Sequence, residues 1–442
     1  MKTRPSSSRT AAAVLGLAVA LLFTRSADAA PDGSFVAHEW GTFTSVQGAD
    51  GVQMEWNPLQ TTDLPKFVYD RNRPTGDFRR QPYSLIAAKS AFASRQRMET
   101  PVIYLYSDRE RAVNVRVDFP QGLVTEWFPQ VTGFGPFATT NQADLALSRQ
   151  SFIEWNNVRV LPRSVDVNIT KLIPDDKAGS HYYAARGTDA NFLKMTTGAS
   201  PKTEHEHFLF YRGVGYFQAP LRVTLGGNDD YVSVQNTGTE ALSHLYVLTV
   251  RGHQGKFVHV DQLEAGEEKA VRLNPNKDLI SSTELRTQLG SRLQKSLTSQ
   301  GLYARESEAM VKTWEDSWFT ENGLRVLYVL PEKWTDRVLP LKLNPKPSEL
   351  VRVMVGRAEV VTPSMEWELL KQVVRYSEDQ GDAKKNAIAG LRQLGLGRFS
   401  EPAARRVLGR TPSPEFSNAA YELIREAAKP VSRTTREVTR IP

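Results

Sequence analysis

No cysteine occurs anywhere in the 442 residues. That absence excludes disulfide staples, thiolate metal ligands and a lipoprotein anchor at a cleavage-site cysteine. The fold must be held by core burial alone, which a chain of this length can supply across two to four domains. Also lacking are a G-x-S-x-G elbow, a Walker loop, a G-x-G-x-x-G following a strand, an EF-hand loop and an H-E-x-x-H pair. Without them, no serine-hydrolase, nucleotide, dinucleotide, calcium or zincin chemistry is specified by motif. One apolar run, Ala11 to Phe23, is conspicuous, and no second long run follows it.

That run has the setting of a secretory signal. Lys2, Arg4 and Arg9 precede it, and Ser26-Ala27-Asp28-Ala29 ends in a small-x-small pattern. The grammar predicts cleavage after Ala29 and an exported protein, periplasmic or secreted. At 13 residues the run is short for a membrane span of about 30 Å. Formal net charge is +7, and the segment from Lys371 onward holds 14 basic against 8 acidic residues. The basicity therefore belongs to the C-terminal part, where it offers a solvated helical face or a contact to an anionic surface. Nucleic acid is not an expected partner of an exported chain.

Periodicity predicts a mostly β protein with a helical C-terminal part: antiparallel β-sandwich domains, an α+β segment, then a short helical bundle or array. Val102 to Tyr106 is a β-branched and aromatic run, and Val113, Val115 and Val117 alternate with polar residues. Residues 129–150 read as a long loop, Ser164–Ile169 as a strand, and Met195–Glu204 as a linker. Six short strands between Phe208 and Leu273, with turns such as Asn236-Thr237-Gly238, predict a sandwich. Ser281 and Glu284 form a capping box ahead of Leu285, Leu289, Leu293 and Leu297, and Gly323 is read as the C-cap of a second helix. The expected divisions are 1–29 signal, 30–204 β-rich, 205–276 sandwich, 277–361 helical hairpin plus two strands, 362–429 helical, and 430–442 a disordered tail.

Three features bear on chemistry. His38-Glu39-Trp40 follows the cleavage site, and its adjacent residues point to opposite faces if it is a strand; an edge strand with Trp40 and Phe43 inward is the simpler expectation. Glu204-His205-Glu206-His207 places two imidazoles on one face at a spacing that suits a transition metal, with His38, His181 or Asp189 as third ligand. A metal-dependent hydrolase would then use His38, His205 and His207, with Glu39 or Glu206 as general base. Finally, Glu-Trp recurs at 39–40, 55–56, 126–127, 154–155 and 366–367, taking five of the eight tryptophans. Carboxylates beside indoles suit a glycan cleft, and Glu126 with Glu154 would be the glycosidase pair. Alternation on sheet faces produces the same pattern with no chemistry.

The segments HEWGTFTSVQGADG, METPVIYLYS, FPQGLVTEWFP, HYYAARGTDA and FLFYRGVG resemble an exported bacterial protein family marked by HEWGTFTS and ETPVIYxYS motifs. MVKTWEDSWFTENGLRVLYVLP and LVRVMVGRAEVVTP share in the resemblance. It implies export and a common, β-rich architecture and carries over no catalytic residue. The stretch from Val232 to Leu273 is similar to bacterial immunoglobulin-like modules, which implies fold only. The leading functional expectation is a non-catalytic binding or envelope-assembly protein with a protein or glycan partner. The metal-dependent hydrolase and the glycosidase are the alternatives.

Overall fold

The computed structural model describes residues 34–58, 64–71, 93–136, 150–162, 171–176, 179–197, 200–226, 231–274, 276–378, 381–410 and 413–429. The expected signal segment, the strand at 164–169 and the tail 430–442 lie outside these residues.

The first strands are β1 (Phe35–Gly48), β2 (Tyr69–Asp70), β3 (Gln96–Ser107), β4 (Arg111–Phe119), β5 (Gly122–Phe128), β6 (Gly133–Gly135) and β7 (Ser151–Val160). A 3-10 turn, His181–Arg186, leads to β8 (Leu193–Thr197), β9 (Ser200–Glu206), β10 (Leu209–Gly215), β11 (Leu221–Gly226) and β12 (Tyr231–Asn236). Then come β13 (Leu242–Arg251), β14 (Gln254–Leu263), β15 (Glu268–Arg272) and β16 (Ile280–Ser281). Helices α1 (Ser282–Ser299) and α2 (Ala304–Phe319) precede β17 (Gly323–Leu330), α3 (Glu332–Val338), β18 (Leu341–Asn344) and β19 (Glu349–Val361). The chain continues through α4 (Pro363–Ser377), α5 (Gly381–Leu394), a turn at Gly397–Phe399, α6 (Ser400–Arg410) and α7 (Pro414–Ala428).

The protein is mostly β, with a helical C-terminal part, as the patterning predicts. A ten-stranded sheet runs β16-β14-β13-β17-β19-β1-β3-β10-β5-β2. Among the described pairings β1–β19 is parallel and the rest are antiparallel. One face shares a core with a six-stranded sheet, built around β4 and β7, and with the three-stranded β11-β12-β15. The other face carries α1 and α2, whose Leu285, Leu289, Leu293, Leu297, Trp314 and Trp318 meet Trp40, Tyr104, Tyr246 and Leu248. The N-cap half of the expected capping box is present: Ser281 Oγ accepts from the Glu284 amide. A third core joins α4 to α7 with Val46, Trp56 and Val361 at one end of the sheet.

Four expectations are corrected. β1 is not an edge strand: it lies between β19 and β3, and all 14 of its residues are buried. With both faces covered, polar and apolar residues are no longer sorted by period two, so its burial was invisible in the sequence. The linker read at Met195–Glu204 is the β8–β9 hairpin, whose alternation of Leu193, Met195 and Thr197 with Lys194 and Thr196 is short but regular. Gly323 does not cap α2, which ends at Phe319 with Thr320 as C-cap; the glycine, at φ +132°, opens β17. Within the expected loop 129–150, β6 pairs with β7. As for the divisions, the ten-stranded sheet draws strands from 30–204, 205–276 and 277–361 alike, and the 205–276 strands are shared between it and the three-stranded sheet.

Candidate functional site

Three neighbouring strands are irregular at one level of the large sheet. Register slips between Trp40 and Thr42 of β1, between Phe210 and Gly213 on the β3 side of β10, and between Arg212 and Gly213 on its β5 side. A bulge bends a strand and re-aims its side chains. Thr100 of β3, at the same level, has φ +46°, a left-handed value rare for a β-branched residue. Gly41 makes the irregularity possible, because a Cβ there would stand 2.9 Å from the Pro101 Cα. Below this level the face covered higher up by apolar contacts with α1 and α2 becomes polar. Thr42 lies opposite Glu99, and Thr44 opposite Arg97.

Here a cleft of about 730 Å³ opens. Its floor is Arg97, Glu99 and Arg212 from the sheet. One wall is the C-terminal half of α2 (Lys312, Thr313, Trp314, Asp316, Ser317) with Thr320 and Glu321. Gly179, Ser180 and His181 form a second wall, and Arg398 reaches in from the C-terminal helical layer. The floor side chains are buried, so their geometry is fixed by packing.

The electrostatics are unusual. Glu99 accepts from Arg398 Nη1 at 2.8 and 2.9 Å, and Arg97 Nε stands 3.7 Å from the same carboxylate. Burial raises the Glu99 carboxyl, yet Arg398, Arg97 and Arg212 outweigh it and hold the group at about 2. Burial, then the neighbouring Arg212, depress Arg97 to about 10, against the opposing pull of Glu99 and Glu126. Three guanidiniums thus gather at the clamped Glu99, with Glu126 of β5 directly opposite Arg212 and Asp70 of β2 opposite Glu126. Arg97 and Arg398 each leave a buried Nε without a hydrogen bond among the described residues. Arg212 Nη2 donates to His181 Nε2 at 3.1 Å, and the His181 ring lies 5.0 Å from that of Trp314.

The charged stripe continues sideways. Arg325 and Arg357 share Glu359, at 3.1 Å and 2.8 Å, and Arg357 also binds Glu321 at 2.5 Å. There burial, which would raise the Glu321 carboxyl, is overcome by Arg357, Arg398 and Arg325, and the group is lowered.

The residues singled out in the sequence fall elsewhere. His38 is sealed in the helix-side core, its Nδ1 2.8 Å from Glu306 and its ring 4.4 Å from that of Tyr303. Glu39, on the opposite face, accepts from Tyr211 and, at 2.7 Å, from Arg352 Nε. Glu206 is buried against Tyr182 and Arg186, and Glu204 accepts from Tyr69 and the Gln130 amide. His205 and His207 are both lowered, first by burial, and His207 lies against Phe192 at 4.2 Å. Asp189 pairs with Arg305. Among the described residues no three His, Cys, Asp or Glu side chains converge as metal ligands, so His38, His205 and His207 are not brought to one centre.

The glycosidase pair is likewise divided: Glu126 stands opposite Arg212 in the large sheet, whereas Glu154 in the six-stranded sheet is bound by Arg116 at 3.1 Å. Trp40, Trp56, Trp127 and Trp155 are fully buried, and of the five Glu-Trp indoles only Trp367 is exposed. Four of the five indoles are core packing rather than surface platforms. The C-terminal basicity is partly answered within the fold: Arg406 and Arg410 bind Glu366, and Arg405 binds Glu401.

Of the sequence candidates only His181, named there as a spare ligand, lines the cleft. Arg97, Glu99 and Arg212, single charged residues in strands, and Arg398, in the Gly397–Phe399 turn, were missed, since none carries a spacing signal.

No family model and no curated protein matches the chain. Among solved structures it is similar to the yeast delta-COP-I mu-homology domain at 8% identity, over 75% of this chain and 100% of that one, with a TM-score of 0.26. The same domain complexed with a Dsl1 WxWxV peptide aligns at 7% identity, with the same coverage and score. Similarity at that level supports no inference about fold or function.

Proposed function

We propose that this is an exported, non-catalytic binding protein whose ligand seats in the cleft between the large sheet, α2 and Arg398. The observation that carries the reading is the state of Glu99 and Glu321, two of the three carboxylates that line the cleft. A general acid or base works best with a pKa near the operating pH. Glu99 is held at about 2 between arginines, and Glu321 is lowered by the same means. Both are permanent anions that fix guanidiniums in place, an arrangement suited to recognition. His181 Nε2 accepts from Arg212, so its lone pair is engaged. Residues far apart in sequence meet on a buried floor, which gives the rigidity that specific binding needs.

Export rests on the n-region, apolar run and Ala29 site. The partner is an envelope protein or a glycan, and the C-terminal helices offer an anionic surface a secondary contact. Two measurements test the reading. Edman sequencing of protein recovered from the periplasm or medium should begin at Ala30; recovery in the cytosol with its leader intact refutes export. Glycan arrays and capture from envelope extracts should return a ligand that a Thr320→Phe chain, with its cleft filled, no longer retains. Retention unchanged in that variant would move the binding site elsewhere.

A further inference from the structure

The floor of the cleft carries more donors than the protein itself uses. Arg97 is buried, it lines the cleft, and its Nε makes no hydrogen bond among the described residues. Among the described residues its guanidinium makes one hydrogen bond, from Nη1 to the Pro58 carbonyl. Arg398 gives Nη1 to both oxygens of Glu99 and leaves its Nε equally unused. A buried donor that makes no hydrogen bond carries its full desolvation penalty, and a charged one a larger penalty still. Burial first, and then the neighbouring Arg212, weaken Arg97 as a base even beside Glu99 and Glu126. Both penalties are relieved by the same guest, a group that is negative and rich in acceptors.

We infer that the cleft binds an oxyanion group, the carboxylate or phosphate of a small acidic ligand, between Arg97, Arg212 and Arg398. This rests on the binding reading above and names its ligand class. Arginine's planar fork matches the spacing of carboxylate and phosphate oxygens, and charge-assisted contacts of this kind are roughly twice as strong as neutral ones. Glu99 keeps the arginines apart and aimed while the site is empty. His181, accepting from Arg212, fixes the orientation of that guanidinium. Ser317 and Thr320 supply hydroxyls at the wall, and the cleft's volume admits a monosaccharide-sized body behind the anionic group. Exclusion of neutral ligands follows from the same geometry, because a neutral guest offers the two buried Nε donors no charged acceptor.

The test is calorimetric titration of the full mature chain with galacturonate, inorganic phosphate and galactose at two salt concentrations. Saturable binding of either anion, weaker at higher salt and absent for galactose, is the expected result. Whether galacturonate or phosphate binds more tightly identifies the source of the oxyanion. Arg398→Gln should weaken the anion at least about tenfold, while Arg398→Lys, which keeps the charge and loses the fork, should fall between. Should Arg398→Gln fail to fold, Thr320→Phe fills the cleft without touching an arginine and should abolish the titration. If galactose or a neutral array glycan binds and is lost in Thr320→Phe while neither anion binds, the oxyanion inference falls and the binding reading stands. If nothing is retained in the cleft by titration, array or capture, both fall.

Discussion

Glu39 and Arg352 face each other in register across the parallel pair β1–β19, each with no side-chain exposure, and are joined at 2.7 Å. The residues are 313 positions apart in sequence. Tyr211 donates to the other carboxylate oxygen, and Arg352 reaches on to Asp336 and the Leu339 carbonyl. A carboxylate that sequence reading offers as a general base is in fact a structural clamp at the centre of the sheet.

Removing that carboxylate takes from Arg352 its one fully buried counter-charge and leaves it Asp336 and the Leu339 carbonyl. Glu39→Gln should therefore lower unfolding free energy by about 3–5 kcal/mol, whereas Tyr211→Phe should cost about 1 kcal/mol. Urea denaturation of both variants measures the difference. Equal, small losses would mean that Arg352 finds another partner.

Glu99 should make the protein acid-sensitive. Its folded pKa, about 2, lies below the ordinary value of 4.5, so its contribution is complete above pH 4.5 and is lost as pH falls through about 2. The shift corresponds to something on the order of 3 kcal/mol. Denaturation midpoints from pH 6 to pH 2 should fall steeply in wild type and more gently in Glu99→Gln.

His207 should act in a higher window. Burial lowers it below 6.5, so the unfolded chain takes up the proton first and stability drops as pH falls through that value. Comparing urea midpoints at pH 7.5 and 5.5 should show a loss that His207→Gln reduces.

The Glu-Trp repeats should separate by burial. Trp155→Ala, in the core with its Nε1 on the Pro129 carbonyl, should cost about 3–5 kcal/mol. Trp367→Ala, at 63% exposure, should change stability by no more than about 0.5 kcal/mol. Thermal denaturation of the two variants decides between packing and surface roles.

Local chemistry was readable where it is local. The caps and leucine spacing of α1, the four C-terminal helices and the hairpins between Leu221 and Arg272 follow from periodicity and turn residues within a few positions. Long-range pairing was not. Nothing in HEWGTFTS says that β1 sits between strands from the two ends of the chain, and this is what turns His38 and Glu39 from candidate ligands into core. The cleft was illegible for the same reason, since Arg97, Arg212 and Arg398 become neighbours only through strand order. METPVIYLYS, HYYAARGTDA, FLFYRGVG and the stretch beginning MVKTWEDSWF bring Glu99, His181, Arg212 and the α2 wall together, though they lie far apart in the chain.

The insertion of β1 beside β19 also sets a timetable. A ribosome delivers Phe35 to Gly48 early and Glu349 to Val361 only after some three hundred further residues. Until then the first strand has one of its two neighbours missing and the sheet cannot close. The chain must travel most of its length unfinished, open to chaperones and slow to commit, and its last strands act as the latch.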